Sequence, residues 1–461
     1  MIQRDTIVAR ATAMGKAGVG IVRLSGSQAL SIAKKMVNPD LEILPRKTHY
    51  TPFYTHDMSE KIDQGILIFF QAPHSFTGED SIEFQTHGNP MILDGLIEAC
   101  LHWGARMAKP GEFSERAFLN NKIDLTQAEA IADLINVSSR DALKGAMASL
   151  SGIFSQKIQS LLKSLIHLRV FVEATIDFPE EEIDALSEQW IVSQIEALKK
   201  NTQEVLQAAQ QGQILREGMT LVIVGRPNAG KSSVLNALSG EETAIVTEVA
   251  GTTRDILRAA IHIEGVPVHV VDTAGLRVTE DIVEKEGVKR AYTAMRQADQ
   301  LLWVLDGTRP ECFESIEAEL YPTFPEGVPL ILLINKMDES LHDFNINTLT
   351  KYLKHPERYK IILISAKTHQ GLDELKQHLL KCIGYHPQVE GRFMARRRHL
   401  EALDRVLKLL HAGEAQFKHH HALELLAEEL RCAQQALSSI TGEFRSDDLL
   451  GEIFSTFCIG K

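Results

Sequence analysis

At 461 residues the chain is too long for one hydrophobic core, and about three domains is the natural expectation. With 44% hydrophobic and 24% charged residues it reads as a soluble globular protein, and a net charge of −12 excludes a generally cationic nucleic-acid binder while leaving room for a local basic patch. The five cysteines (Cys100, Cys312, Cys382, Cys432 and Cys458) are scattered and never paired as CxxC, which argues against a zinc site or a disulfide framework and for a reducing, cytoplasmic setting.

The first residues, "MIQRDTIVAR", lack the apolar run of a signal peptide, and no stretch approaches the ~20 apolar residues that span a bilayer. Up to about residue 120, the strand-like runs "GVGIVRLSG", "GILIFF" and "SIEFQTHG" alternate with turn signals at Pro73, Gly78, Gly88 and Pro110, which predicts an α+β domain. The texture then turns helical. "SLLKSLIHLRVFVEATI" is apolar around most of its circumference and predicts a buried helix. "DFPEEEID" interrupts it, and a further helical stretch runs to Gln213. From Thr220 to about Gly384, short apolar runs ("TLVIVG", "VPVHVVDT", "QLLWVLD", "PLILLIN", "KIILIS") alternate with helical pattern and predict an α/β domain on a mostly parallel sheet. Helices then return, with Leu423, Leu426, Leu430, Ala433, Leu437 and Ile440 forming an apolar stripe. Helical segments on both sides of the α/β module predict that it is inserted into one helical domain. The expected division is 1–120, 121–217, 218–384 and 385–461.

"TLVIVGRPNAGKSSVLNAL" is a strand, a Gly-x4-Gly-Lys-Ser loop and a helix. Gly225 and Gly230 let the backbone wrap a phosphate, Lys231 can reach its terminal oxygens, and the Ser232 hydroxyl can ligate Mg²⁺. "AGTTRD" offers the hydroxyls of Thr252 and Thr253, while "VHVVDTAG" ends a strand with Asp272 for the Mg²⁺ shell and Gly275 to sense the γ-phosphate. "LLINKMD" supplies Asn335, Lys336 and Asp338, whose carboxylate matches the two donors on the guanine edge, and "ILISAK" adds Ser365, Ala366 and Lys367. Four ordered elements at strand ends resemble a Ras-like GTPase domain. The position of the water-orienting glutamine holds Leu276, which cannot hydrogen-bond. Chemistry alone leaves Glu280, Asp281, Glu284 and Glu286 open for that task, and positive charge could come from Arg277, from a partner, or from a cation held by Asn228.

Across essentially the whole chain, "SFTGED", "PGEFSERAFLN", "DLTQAEAIADLI", "DFPEEEID", "GRPNAGKSS", "DTAGLR", "TGEF" and "FCIGK" resemble the MnmE (TrmE) family of tRNA-modification GTPases. The resemblance implies a tetrahydrofolate-binding-like α+β domain at 1–120, an all-α domain in two parts, and an inserted Ras-like P-loop GTPase. It implies a homodimer working with MnmG (GidA) and tRNA, in which GTP hydrolysis supports addition of an aminomethyl or carboxymethylaminomethyl group to C5 of the wobble uridine. GTP contacts would come from Asn228, Ala229, Gly230, Lys231, Ser232 and Ser233, then from Thr247, Glu248, Val249, Ala250, Gly251, Thr252 and Thr253. Asp272, Thr273, Ala274 and Gly275 would follow, with Asn335, Lys336, Asp338, Ser365, Ala366 and Lys367 around the base. Ser232 and Thr253 match the Mg²⁺ ligands, and Asn228, Thr247, Val249 and Thr252 match those of K⁺. Glu284 matches the acid that positions water, Lys231 is a further catalytic candidate, and Cys458 reads either as a small packed thiol or as a direct catalytic group near the carrier. Arg23, Glu83, Lys122 and Lys461 match the site for 5-formyl- or 5,10-methylene-tetrahydrofolate. Ser446 would cap a last helix carrying Leu449, Leu450, Ile453, Phe454 and Phe457, which anchors the lysine-ended terminus. A different class remains in play, an RNA- or ribosome-assembly switch. Two further features read plainly: "RRR" at 396–398 as a solvated helix start or basic patch, and the histidines at 419–421 as divergent helix residues rather than metal ligands.

Overall fold

Period-2 alternation explains the first sheet. In β1 (Ile7–Arg10), Val8 joins the core on one face, while Ile7 and Ala9 meet Ala108 and Phe113 on the other. In β2 (Ala17–Ser25), Val22 and Leu24 share the face of Val8, which turns Arg23 to the opposite side. The structure, a computed structural model, describes residues 5–177, 185–239, 258–272, 292–309, 325, 327–339, 353, 359–385, 393–442, 453, 454, 457 and 460.

Short helix α1 (Ala29–Lys34) follows β2, and then come β3 (Thr48–Tyr54), β4 (Lys61–Phe70), β5 (Ser81–Gly88), α2 (Pro90–His102) and β6 (Arg106–Met107). The six strands run β3-β4-β5-β2-β1-β6, antiparallel except for β1 with β6. Helix α2 starts where Asn89 accepts a hydrogen bond from the Met91 N–H and Pro90 sits at the first turn, a strong start signal. Its Leu93, Leu96 and Ala99 close the core over Phe53, Leu67, Ile82 and Phe84.

Helices α3 (Glu112–Leu119), α4 (Leu125–Asn136), α5 (Arg140–Leu150), α6 (Ile153–Asp177) and α7 (Ala185–Glu217) come next. The chain forms two units, Met1–Ile135 with Ser149–Thr202 and Ala402–Lys461, and Asn136–Ala148 with Gln203–Glu401. Helix α6 departs from the expectation of burial all round: Leu161, Leu162, Leu165, Leu168 and Val172 are buried, but Ile166 and Val170 are 38% and 57% exposed. Spacings of three and four give α6 one packed stripe, and the remaining apolar residues fall on its other side.

The second unit carries β7 (Met219–Gly225), α8 (Lys231–Ser239), β8 (Arg258–Ile263), β9 (Val266–Asp272), β10 (Gln300–Asp306), β11 (Leu330–Asn335), β12 (Lys360–Leu363) and α9 (Leu372–Cys382). The strand order is β12-β11-β10-β7-β9-β8, parallel except where β8 pairs antiparallel with β9. Every residue of β10 and β11 is buried, so neither alternates, as expected of parallel strands covered on both faces. Sequence order reverses at β7, with β9 on one side and β10 on the other. The C-terminal end of β7 is therefore the switch point where such sheets bind ligands.

Helices α10 (Arg397–His420) and α11 (Leu423–Thr441) complete the described elements. The predicted stripe of α11 is buried at Leu426, Leu430, Ala433, Leu437 and Ile440, with Leu423 half-buried. Near the C-terminus, Phe454, Phe457 and Ile453 pack with Leu125, Ala128 and Phe118 in the first unit. Ser446, Leu449 and Leu450 lie outside the described residues. No described helix is long and apolar enough to cross a membrane.

Candidate functional site: the phosphate loop and the turns after β11 and β12

The loop between β7 and α8 is held by backbone geometry that few residues tolerate. Gly230 has φ +93°, and a Cβ there would lie 2.3 Å from Nδ2 of Asn335. Asn228 also adopts a left-handed conformation, at φ +63°, a region where asparagine is among the better tolerated side chains. Lys231 starts α8 and folds back, its Nζ donating to the carbonyls of Gly225 at 2.9 Å and Arg226 at 3.1 Å. Ser232 and Ser233 sit in the first turn of α8, where free backbone N–H groups and the helix dipole favour an anion.

Asn335, at the end of β11, ties this loop to the two turns beyond it. Its Nδ2 donates to the Ala229 carbonyl at 3.1 Å, and its Oδ1 accepts from the Ala366 N–H at 3.0 Å. Ser365 donates to Asp338 Oδ1 at 2.6 Å and accepts from the Thr368 N–H at 3.1 Å. Lys367 lies 3.9 Å from Asp338 and 3.4 Å from Glu339. The predicted residues Ala229, Asn335, Asp338, Ser365, Ala366 and Lys367 thus form one connected group.

Lys336 has a partner outside the predicted set. Its Nζ donates to Asp306 Oδ2 at 2.6 Å, at the end of the neighbouring strand β10. Burial alone pushes the Asp306 carboxyl up, but Lys336 and two bonds from Thr308 outweigh it and hold it below the usual range. The local signal was the acid closing "QLLWVLD", with a glycine behind it. Asp272 ends β9 opposite Ile223 of β7. Thr247, Glu248, Val249, Ala250, Gly251, Thr252, Thr253, Thr273, Ala274, Gly275 and Glu284 lie outside the described residues.

A second polar group occupies the first unit. Arg23 and Glu83 are register partners on β2 and β5, and Arg23 donates to Glu83 Oε1 from Nε at 3.0 Å and Nη2 at 2.8 Å. The guanidinium also lies 5.9 and 5.8 Å from the ring centres of Phe76 and Phe113. Lys122 donates to the Pro73 carbonyl at 2.9 Å, on the segment that carries Phe76. Glu79 accepts from Ser25, two residues beyond Arg23 on β2, at 2.9 Å and from Arg116 at 3.0 Å. Gly460, at φ +96°, runs so close to β1 that a Cβ would lie 2.0 Å from the Arg10 carbonyl. Cys458 and Lys461 lie outside the described residues.

A mostly parallel sheet with a phosphate loop at its switch point and an Asn-Lys-x-Asp turn closing β11 defines a GTP-binding protein of the P-loop class. Two family models match the chain: "MnmE helical domain" over residues 125–458 and "GTP-binding protein TrmE N-terminus" over residues 6–122. The tRNA modification GTPase MnmE of Vibrio cholerae O1 is 53% identical over 462 residues, spanning 99% of each chain. That of Pseudoalteromonas translucida is 51% identical over the full length of both, and that of Pseudomonas fluorescens is 52% identical over 99% of each. The chain belongs to the MnmE family.

Proposed function

We propose that the chain hydrolyses GTP as part of a tRNA-modifying reaction at the wobble uridine (U34), adding an aminomethyl or carboxymethylaminomethyl group to C5 from a folate one-carbon donor. The support is the curated relatives' name, tRNA modification GTPase, over nearly the whole length. In this reading residues 1–120 bind folate and dimerise, 121–217 and 385–461 form the helical domain, and 218–384 are the GTPase. The protein acts in the cytoplasm as a homodimer with MnmG, which supplies the redox chemistry.

Mg²⁺ would be held by Ser232 and Thr253, whose hydroxyls are the hard oxygen donors this ion prefers. K⁺ would be held by Asn228, Thr247, Val249 and Thr252, supplying positive charge at the phosphates. Asp338 reads guanine, Asn335 couples that turn to the phosphate loop, Lys231 binds the phosphates, and Glu284 positions the attacking water. Arg23, Glu83, Lys122 and Lys461 would hold a formyl- or methylene-tetrahydrofolate, with Cys458 beside it.

The observation that carries this reading is the coexistence, in one chain, of a phosphate-loop site and the Arg23–Glu83 group with its aromatic neighbours Phe76 and Phe113. An assembly switch has use for the first and none for the second. Calorimetric titration with 5-formyl-tetrahydrofolate tests it. The wild-type chain is expected to bind, and Gly460→Ala, which forces the terminus off the Arg10 carbonyl, is expected to bind about 10-fold or more weakly. GTP affinity should be unchanged in that variant. Absence of folate binding in the wild type would favour the switch.

A further inference from the structure

Between α6 and α11 opens a pocket of about 410 Å³ lined by Arg169, Arg431, Gln434, Gln435 and Ser438. The four α11 residues are spaced by three, one and three, which puts them on one face of that helix. Arg169 reaches this face from α6, its Nη1 donating to Gln434 Oε1 at 2.7 Å. Every lining side chain can donate a hydrogen bond, and none is a carboxylate.

The donors are arranged in advance. Glu173 accepts from Arg169 Nε at 2.7 Å, and Glu428 accepts from Nε and Nη2 of Arg431 at 2.8 and 2.6 Å. These contacts fix both guanidinium groups and leave Nη2 of Arg169 and Nη1 of Arg431 without a partner among the described residues. Gln434 commits its oxygen to Arg169, so its amide nitrogen remains a donor. Ser438 is 1% exposed, yet its hydroxyl has no hydrogen-bond partner among the described residues. Such a group is costly to leave unsatisfied, and a ligand oxygen would satisfy it. Glu173 and Glu428 balance the arginines' charge, so the pocket selects by hydrogen-bond geometry. One phosphoryl group therefore suits it better than several held at once.

We propose that this pocket binds a single phosphoryl group through Arg169, Arg431, Gln434, Gln435 and Ser438. Guanidinium edges present paired N–H donors that match phosphate oxygens. The volume is at the small end for ligand pockets, enough for a phosphate with its sugar. The group could belong to a free nucleotide or to an RNA backbone. The proposal is independent of the GTP reading, since the lining residues belong to the first unit and the phosphate loop to the second.

The test uses the full-length protein with its phosphate loop filled by Mg²⁺ and a non-hydrolysable GTP analogue. Inorganic phosphate is titrated by calorimetry at constant ionic strength. One saturable site is expected, weakened at least ~10-fold in Arg431→Gln and about 2- to 5-fold in Ser438→Ala. Arg431 is 42% exposed and pairs with Glu428 of its own helix, so its replacement should leave the melting temperature nearly unchanged. Displacement of phosphate by a short RNA hairpin assigns the group to an RNA backbone, and displacement by uridine monophosphate alone assigns it to a free nucleotide. No saturable site in the wild type, or a site equally strong in both variants, overturns the proposal.

Discussion

Asp338→Asn is expected to weaken GTP binding about 10²- to 10³-fold and to improve binding of xanthosine triphosphate. Guanine offers two neighbouring donors, its ring N–H and its exocyclic amine, and a carboxylate accepts both. Each charge-assisted bond is worth about 1.5–3 kcal/mol, so losing the match accounts for that range. An asparagine donates once and accepts once, which suits the carbonyl that xanthine carries in place of the amine. Ser365, donating to Asp338 Oδ1 at 2.6 Å, fixes the carboxylate's orientation. Competition between labelled GDP and the two triphosphates measures the switch. Unchanged GTP affinity would mean that the base is read elsewhere.

Arg116→Ala is expected to cost about 3–5 kcal/mol of stability, because it removes a buried guanidinium that ties Glu112, Glu79 and Asp5 together rather than one arm of a solvated pair. Arg116 is 4% exposed. It donates to Glu79 at 3.0 Å, to Glu112 at 2.9 Å, and to the carboxylate and carbonyl of Asp5 at 3.0 and 2.8 Å. Glu112, itself 6% exposed, also accepts from Arg106 at 2.8 Å and from the Lys109 N–H at 2.8 Å. Burial alone would push the Glu112 carboxyl up, but these bonds outweigh it and hold it at about 2, against an ordinary 4.5. A folded-state value below the unfolded one stabilises the fold above about pH 4.5, and the contribution fades as pH falls towards 2. Urea unfolding of wild type and Arg116→Ala should therefore differ most near neutral pH and converge in acid. A constant difference would place the effect in packing alone.

How much of this was legible follows from where each contact lies along the chain. β10 and β11 announce themselves as unbroken apolar runs, and the glycine at 230 sits where the phosphate loop passes Asn335, so local pattern suffices for both. The α11 stripe is likewise local. The Asp5–Arg106–Glu112–Arg116 cluster is not, since Asp5 meets Arg106 and Arg116 across 101 and 111 residues of sequence. Asp306 escaped notice for a related reason: its tie to Lys336 exists only because β10 and β11 run side by side. In α6 the composition suggested burial on every side, whereas packing engages one stripe and leaves Val170 exposed. The two-residue β6 gives no sequence signal, because it exists only through pairing with β1.

Under the proposed function, GTP is hydrolysed at the phosphate loop with a monovalent cation at Asn228 standing where other enzymes of this class use an arginine. The most direct test is the hydrolysis rate in KCl and in NaCl at equal ionic strength, for the wild type, Asn228→Ala and Glu284→Ala. The rate is expected to be roughly 10-fold or more higher in potassium, with that advantage lost in Asn228→Ala. Glu284→Ala should be slow in both salts while still binding GTP. A wild-type rate indifferent to the cation, or an Asn228→Ala variant still stimulated by potassium, would contradict it.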